Sequence, residues 1–154
     1  MLRTSTKGIL GLLLLSTSLS AQVKVVVPRR EYPSEYKIPA RLENLTSAPI
    51  TVCVQLGLWS PNGTDTIEYT PSPFLVEQND HDKWSVLLKG PDVGSNSQPV
   101  EVDTGQSMKF PFRLRVAGTM RLRLDYWIGS RPDMKCNVPR TDTKHSYSET
   151  FTLF

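Results

Sequence analysis

The sequence lacks the short motifs by which many enzyme families are recognised. It contains no Gly-x-Ser-x-Gly elbow, no His-Glu-x-x-His pair and no glycine-rich phosphate loop. It has only two histidines, His81 and His145, so general acid–base chemistry has few candidates. We therefore expect no catalytic residues and no cofactor. A hydrolase or metal protein built on His81 or His145 is an alternative hypothesis.

A metal site is also unsupported by the pattern. The cluster of residues 79–82, Asn-Asp-His-Asp, offers oxygen and imidazole ligands, but consecutive turn residues rarely converge on one ion. Asn and Asp are common in turns because their side chains bond to nearby backbone. We expect a solvated turn here and no metal.

Long apolar runs are absent after the first 21 residues. Residues 1–7 are short and cationic, residues 9–15 are apolar, and small residues lead to Ala21, a pattern typical of a cleaved secretory signal. The apolar core is too short to span a bilayer, and no cysteine follows Ala21 to carry a lipid. We expect a secreted chain, extracellular or periplasmic, with no membrane anchor. Removing 21 of the 154 residues leaves 133 residues, which is the size of one domain. We therefore expect a single domain at residues 22–154.

Cysteine is scarce: the chain has only Cys53 and Cys136. An exported pair enters an oxidising compartment, where a disulfide is the default. The close Cys-x-x-Cys spacing of most redox and zinc sites is missing. We predict a Cys53–Cys136 bridge.

No window shows a sustained helical period. Twelve prolines and nine glycines instead separate short β-branched or alternating runs, which is typical of an all-β sandwich. Strands are predicted near 23–27, 36–45, 50–59, 74–78, 83–89, 108–116, 120–128 and 146–153. Residues 79–82 would close a hairpin between two of them.

The order of several short motifs resembles a family of bacterial immunoglobulin-like domains. These motifs are Glu43-Asn44-Leu45-Thr46, Phe74-Leu-Val-Glu77, Trp84, Asp103-Thr-Gly-Gln-Ser107 and Gly118-x-x-Arg-Leu122. The resemblance covers about residues 36–128. It implies an antiparallel two-sheet sandwich of about seven strands without a shared catalytic site. One departure is Met120, where the family pattern would have a corner tyrosine.

Two strands of this sandwich are expected to lie side by side. In the immunoglobulin-like arrangement the runs 50–59 and 120–128 are its C and F strands, which are antiparallel neighbours. That arrangement brings Cys53 near the loop that holds Cys136. We predict a register in which paired residue numbers sum to about 180, with Gln55 opposite Asp125 and Gly57 opposite Arg123.

The outer face of these two strands is the candidate binding site. Side chains alternate between the faces of a strand, so one set of residues points away from the core. That set is Gln55, Trp59, Arg121, Arg123, Asp125 and Trp127. Aromatic rings beside arginines and an amide suit stacking and hydrogen bonding to sugars, peptides or anionic polymers. The alternative is that long arginines simply cover an exposed sheet.

The charge balance points away from nucleic acid. Residues 65–103 carry eight acids and residues 105–140 carry eight bases, but without the signal the net charge is about +1. We therefore expect a protein or polysaccharide partner. The first hypothesis is a secreted, non-enzymatic binding module that uses either the Trp59, Arg121, Arg123 and Trp127 face or the loop closed by the disulfide. The alternative is a secreted inhibitor or immunity-type protein that blocks an enzyme with its loops, such as 90–99 or 131–144.

Overall fold

The computed structural model of the chain describes residues 21–55, 73–88 and 97–154. Within these ranges the chain forms β-strands and no helix, so the all-β prediction is confirmed. The strands are β1 (Val23–Val26), β2 (Glu31–Tyr32), β3 (Arg41–Asn44), β4 (Ile50–Gln55), β5 (Phe74–Asp80), β6 (Lys83–Leu88), β7 (Ser97–Val102), β8 (Ser107–Lys109), β9 (Gly118–Ile128), β10 (Lys144–Tyr147) and β11 (Phe151–Leu153).

The strands form two sheets, as expected for a sandwich. A three-stranded antiparallel sheet has the order β1-β3-β8. The larger sheet is organised around β9, the longest strand. Along one side β9 pairs first with β11 and then with β10, and along the other first with β5 and then with β4. β9 is therefore the central strand of this sheet.

The core lies between the two sheets and follows from alternation along the strands. Met120, Leu122 and Leu124 of β9 are fully buried, while Arg121 and Arg123 between them are only partly buried. Leu42 of β3 and Val52 of β4 are also fully buried in this cluster. This apolar layer fixes which side of β9 faces outward.

The predicted pairing of the runs 50–59 and 120–128 is confirmed as antiparallel, but its register differs. The observed pairs, such as Thr51 with Trp127, sum to 178 instead of 180. A shift of two residues leaves every side chain on its predicted face. Gly57, the predicted partner of Arg123, lies outside the described residues, and the recorded partners of Arg123 are Leu75 of β5 and Tyr147 of β10. The recorded partner of Gln55 is Ser97 of β7, and that of Asp125 is His145 of β10.

The predicted strands 108–116 and 146–153 are each interrupted in the structure. The run 108–116 forms only β8, followed by a single bridge between Phe112 and Ile38, because Pro111 has no amide hydrogen for a ladder. The run 146–153 is divided into β10 and β11 at Ser148, whose hydroxyl accepts from the backbone N–H of Leu122 at 2.9 Å.

The predicted hairpin around residues 79–82 is confirmed. β5 and β6 pair antiparallel, and His81 and Asp82 adopt positive φ angles of 48° and 65° in the turn. The chain crosses from the smaller sheet to the larger one between β8 and β9.

Candidate functional site

The candidate site lies on the outer face of β9, opposite the core. Arg121, Arg123 and Asp125 point outward from β9 because the intervening leucines point inward. Strand β5 brings Glu77 directly opposite Arg121, and β10 brings His145 and Tyr147 opposite Asp125 and Arg123. We call this group, with Trp84 of β6, the β9 outer face.

Glu77 is the buried anchor of the β9 outer face. Its side chain is only 7% exposed, yet its carboxylate accepts from two arginines. Arg121 donates from Nε and Nη2 to Oε2 at 2.7 Å, and Arg123 donates from Nη1 to Oε1 at 3.3 Å. A carboxylate can leave water only when it is paired in this way. Glu77 therefore holds both guanidinium groups in defined positions.

The guanidinium of Arg121 is stacked between two aromatic rings. Its carbon lies 4.2 Å from the ring centroid of Trp84 and 4.4 Å from that of Tyr147. Both distances are well within the range of cation–π attraction. Trp84 comes from β6, on one side of β9, and Tyr147 from β10, on the other. One arginine thus joins aromatic rings carried by two strands on opposite sides of β9.

A second line of polar contacts continues from Arg123. Its Nε donates to Asp125 Oδ1 at 3.1 Å, and the same oxygen lies 2.7 Å from Nδ1 of His145. The side chains of Arg123 and Asp125 are 23% and 29% exposed, and that of His145 is 45% exposed. The network therefore begins at buried Glu77 and ends at a solvent-accessible imidazole.

Three of the six predicted binding residues, Arg121, Arg123 and Asp125, are brought together here. Gln55 ends β4 and is partly buried. Trp59 lies outside the described residues. The expectation that Trp127 is exposed on this face is wrong: it is 8% exposed, and its indole N–H donates to Thr143 Oγ1 at 3.1 Å.

Trp127 is buried because the chain after β9 folds back over the outer face of the sheet. The predicted disulfide between Cys53 and Cys136 is present, with Cα atoms 5.8 Å apart. The hydroxyl of Thr51, beside Trp127, donates to the carbonyl of Gly129 and accepts from the amide of Arg131. Residues 129–143, which form this loop, therefore contact Trp127 and Thr51 on the outer side of the sheet.

An ion pair also closes the loop. Arg131 Nη1 lies 2.7 Å from Asp142 Oδ2, and this hydrogen bond holds the pKa of the Asp142 carboxyl below its usual value. The Arg131 Nε donates to the carbonyl of Ile128 at 3.2 Å. The loop is therefore attached to the sheet at several points along its length.

Sequence reasoning missed four members of the face: Glu77, Trp84, His145 and Tyr147. Glu77 and Trp84 stand in predicted strands, but only long-range pairing shows that β5 and β6 continue the sheet beside β9. The sequence contains one signal for Glu77, since this glutamate directly follows the apolar run 74–76. A glutamate is unusual in a buried position.

The contact between His145 and Asp125 resembles the orienting pair of many hydrolases. Such a pair catalyses acyl transfer only with an adjacent nucleophile. Within the described ranges, the recorded hydrogen bonds of His145 do not include a serine, threonine or cysteine. The same ranges hold no cluster of three or more histidine, cysteine, aspartate or glutamate side chains suited to a metal. They also contain no helix of the length and apolarity needed to cross a membrane.

No known protein family, curated protein or solved structure matches the chain. The fold is therefore assigned from the strands and core of this chain, and the candidate site is assigned from the contacts between its side chains. The immunoglobulin-like family remains a prediction.

Proposed function

We propose that this protein is an exported, non-enzymatic binding module of the immunoglobulin-like type, and that the β9 outer face carries the binding. The strand arrangement supports the family. Immunoglobulin-like sandwiches keep their B and E strands in one sheet and their C, F and G strands in the other. In the same way, β3 and β8 share one sheet here, while β4, β9 and β10 share the other. The disulfide is compatible with the oxidising compartment that is expected for a chain exported by a signal in residues 1–21.

The observation that carries this proposal is the position of Arg121 between Trp84 and Tyr147. Tryptophan, tyrosine and arginine are the residues that contribute most often to binding hot spots. Here the arginine is held from below by Glu77 and from both sides by the rings. Because these side chains are already ordered, binding costs little further conformational entropy.

The partner is a protein or a polysaccharide, since the face suits both. No cofactor and no nucleic acid are part of the proposal. Arg121 and Arg123 are balanced by Glu77 and Asp125, so the face lacks the excess positive charge that phosphate backbones require.

The experiment is capture of extracellular or envelope material on immobilised protein. Arg121→Ala removes the stacked cation and should abolish retention of the partner seen with the parent. Lys109→Ala, on an exposed position of the smaller sheet, is the matched control and should retain it. Equal retention by both variants would contradict the proposed face.

A second candidate is an inhibitor that acts through the loop 129–143. The observation in its favour is that the disulfide and the Arg131–Asp142 pair hold this loop against the sheet. Rigid, exposed loops can occupy an enzyme's cleft at low entropic cost. Replacing the exposed residues Asp133 and Lys135 should abolish inhibition of a secreted hydrolase under this hypothesis. Under the favoured proposal the same change leaves partner capture intact.

A further inference from the structure

We propose that the ligand of the β9 outer face is a neutral saccharide. One sugar ring would stack on Tyr147, and its hydroxyls would bond to Arg123, Asp125 and His145. This inference rests on the proposed function, and it names the chemical class that the site would recognise.

Four residues form a compact patch of suitable size. Tyr147 lies opposite Arg123, and His145 lies opposite Asp125, on the adjacent strands β10 and β9. Side chains paired across antiparallel strands stand about 5 Å apart. Residues two apart along one strand are about 7 Å apart. The patch therefore has the dimensions of one hexose ring.

The polar members of the patch retain hydrogen-bonding capacity. Arg123 uses Nε and Nη1 within the network, and Asp125 uses Oδ1. The described contacts leave Arg123 Nη2, Asp125 Oδ2 and one ring nitrogen of His145 for a ligand. Donors and an acceptor thus stand side by side, which suits the adjacent hydroxyls of a sugar.

Tyr147 supplies the apolar surface. It is 45% exposed although it stacks against the guanidinium of Arg121. Because that cation holds the ring, a ligand meets an aromatic surface whose orientation is already fixed.

Charge favours a neutral ligand over an anionic polymer. Arg121 and Arg123 are paired with Glu77 and Asp125, so the face carries no excess positive charge that would attract an acidic chain. A neutral, hydroxyl-rich ligand therefore fits this surface better than an anionic polymer does.

The test is calorimetric titration of the full mature chain with defined oligosaccharides. The probes are the hexamers of β-1,4-linked glucose, α-1,4-linked glucose and β-1,4-linked N-acetylglucosamine, with hexagalacturonate as the anionic comparator. We expect at least one neutral hexamer to bind at or below about 1 mM and more tightly than hexagalacturonate.

The variants separate a role in binding from a role in folding. Tyr147→Ala should weaken binding about tenfold or more, whereas Tyr147→Phe keeps the ring and should stay within about threefold. Asp125→Asn should also weaken it. Tyr36→Ala is the matched control, because Tyr36 is 44% exposed and stacks on Tyr32 beside Arg29 but lies away from the patch.

Three results would overturn the inference. These are no binding of any neutral hexamer up to about 5 mM, stronger binding of hexagalacturonate, or an affinity unchanged in Tyr147→Ala and Asp125→Asn. If a protein is instead captured and then lost with Arg121→Ala, the proposed function stands while its saccharide specificity is wrong.

Discussion

The β9 outer face depends on a single buried carboxylate, that of Glu77. A carboxylate this buried is uncommon unless it is paired, and here both of its oxygens are occupied by arginines. Its burial follows from the sheet: Arg121 on β9 and Val86 on β6 stand directly opposite it on either side. The acidic and basic parts of the chain thus compensate each other across neighbouring strands.

Glu77→Gln should destabilise the protein by about 2 kcal/mol. The amide lacks the charge that balances two partly buried guanidinium groups, and an unpaired buried charge is costly. Urea unfolding monitored by circular dichroism measures the change. Glu43→Gln is the control, because its pair with Arg41 is more exposed and should contribute less than about 1 kcal/mol. Equal effects of the two substitutions would show that Glu77 is not the anchor.

Arg121, Arg123 and Asp125 were predictable from sequence, while the other members of the site were not. Arg121, Arg123 and Asp125 alternate with apolar residues along one strand, so period two alone assigns them to the outer face. Trp84 and Tyr147 reach the same arginine from strands far away in the sequence. Their position depends on long-range pairing that no local pattern specifies.

At the scale of elements, the loop after β9 explains the error over Trp127. Alternation correctly assigned Trp127 to the outer side of the sheet, but not every residue on that side reaches solvent. The disulfide was predicted, yet its consequence for the tryptophan was missed. A bridged loop of this length covers the surface to which it is attached.

Removing the disulfide should destabilise the protein and loosen this loop. Cys53 and Cys136 are 83 residues apart, and a link of that length contributes about 4 kcal/mol in the chain-entropy model. Hydrogen exchange of residues 131–142 should accelerate in the Cys53→Ser/Cys136→Ser variant, or in the folded protein after reduction. The β5–β6 hairpin serves as the internal control. Unchanged exchange in the loop would mean that its hydrogen bonds alone hold it.

At the scale of the whole molecule, the two-sheet fold was predictable because its strands are short and separated by prolines and glycines. The boundaries of the strands were less predictable from the sequence. Strand β9 is long enough to pair with four other strands, and β5 and β4 divide one side of it, so β4 pairs only with residues 126–128. Pairing between distant segments decided those details.

The stability of the fold should fall at alkaline pH through two tyrosines. Burial raises the pKa of Tyr32 and of Tyr126, although a hydrogen bond from the Arg29 amide partly opposes this at Tyr32. The folded state therefore favours the neutral phenols. Their contribution is complete below the unfolded pKa of about 10 and is lost as pH rises through the raised folded pKa.

Melting temperatures measured between about pH 8 and 11 test this dependence. The Tyr32→Phe/Tyr126→Phe variant cannot ionise at these positions and should lose less stability across that interval than the parent does. An identical fall in the two proteins would assign the alkaline sensitivity to other groups.

Ligand contacts are expected on the β9 outer face. The most direct test is nuclear magnetic resonance of the ¹⁵N-labelled protein, titrated with the captured partner or a binding hexamer. We predict shifts concentrated in the backbone and side-chain signals of Arg121, Arg123, His145 and Tyr147, with residues 131–142 unchanged. Shifts confined to residues 131–142 would contradict the claim and favour the inhibitory loop.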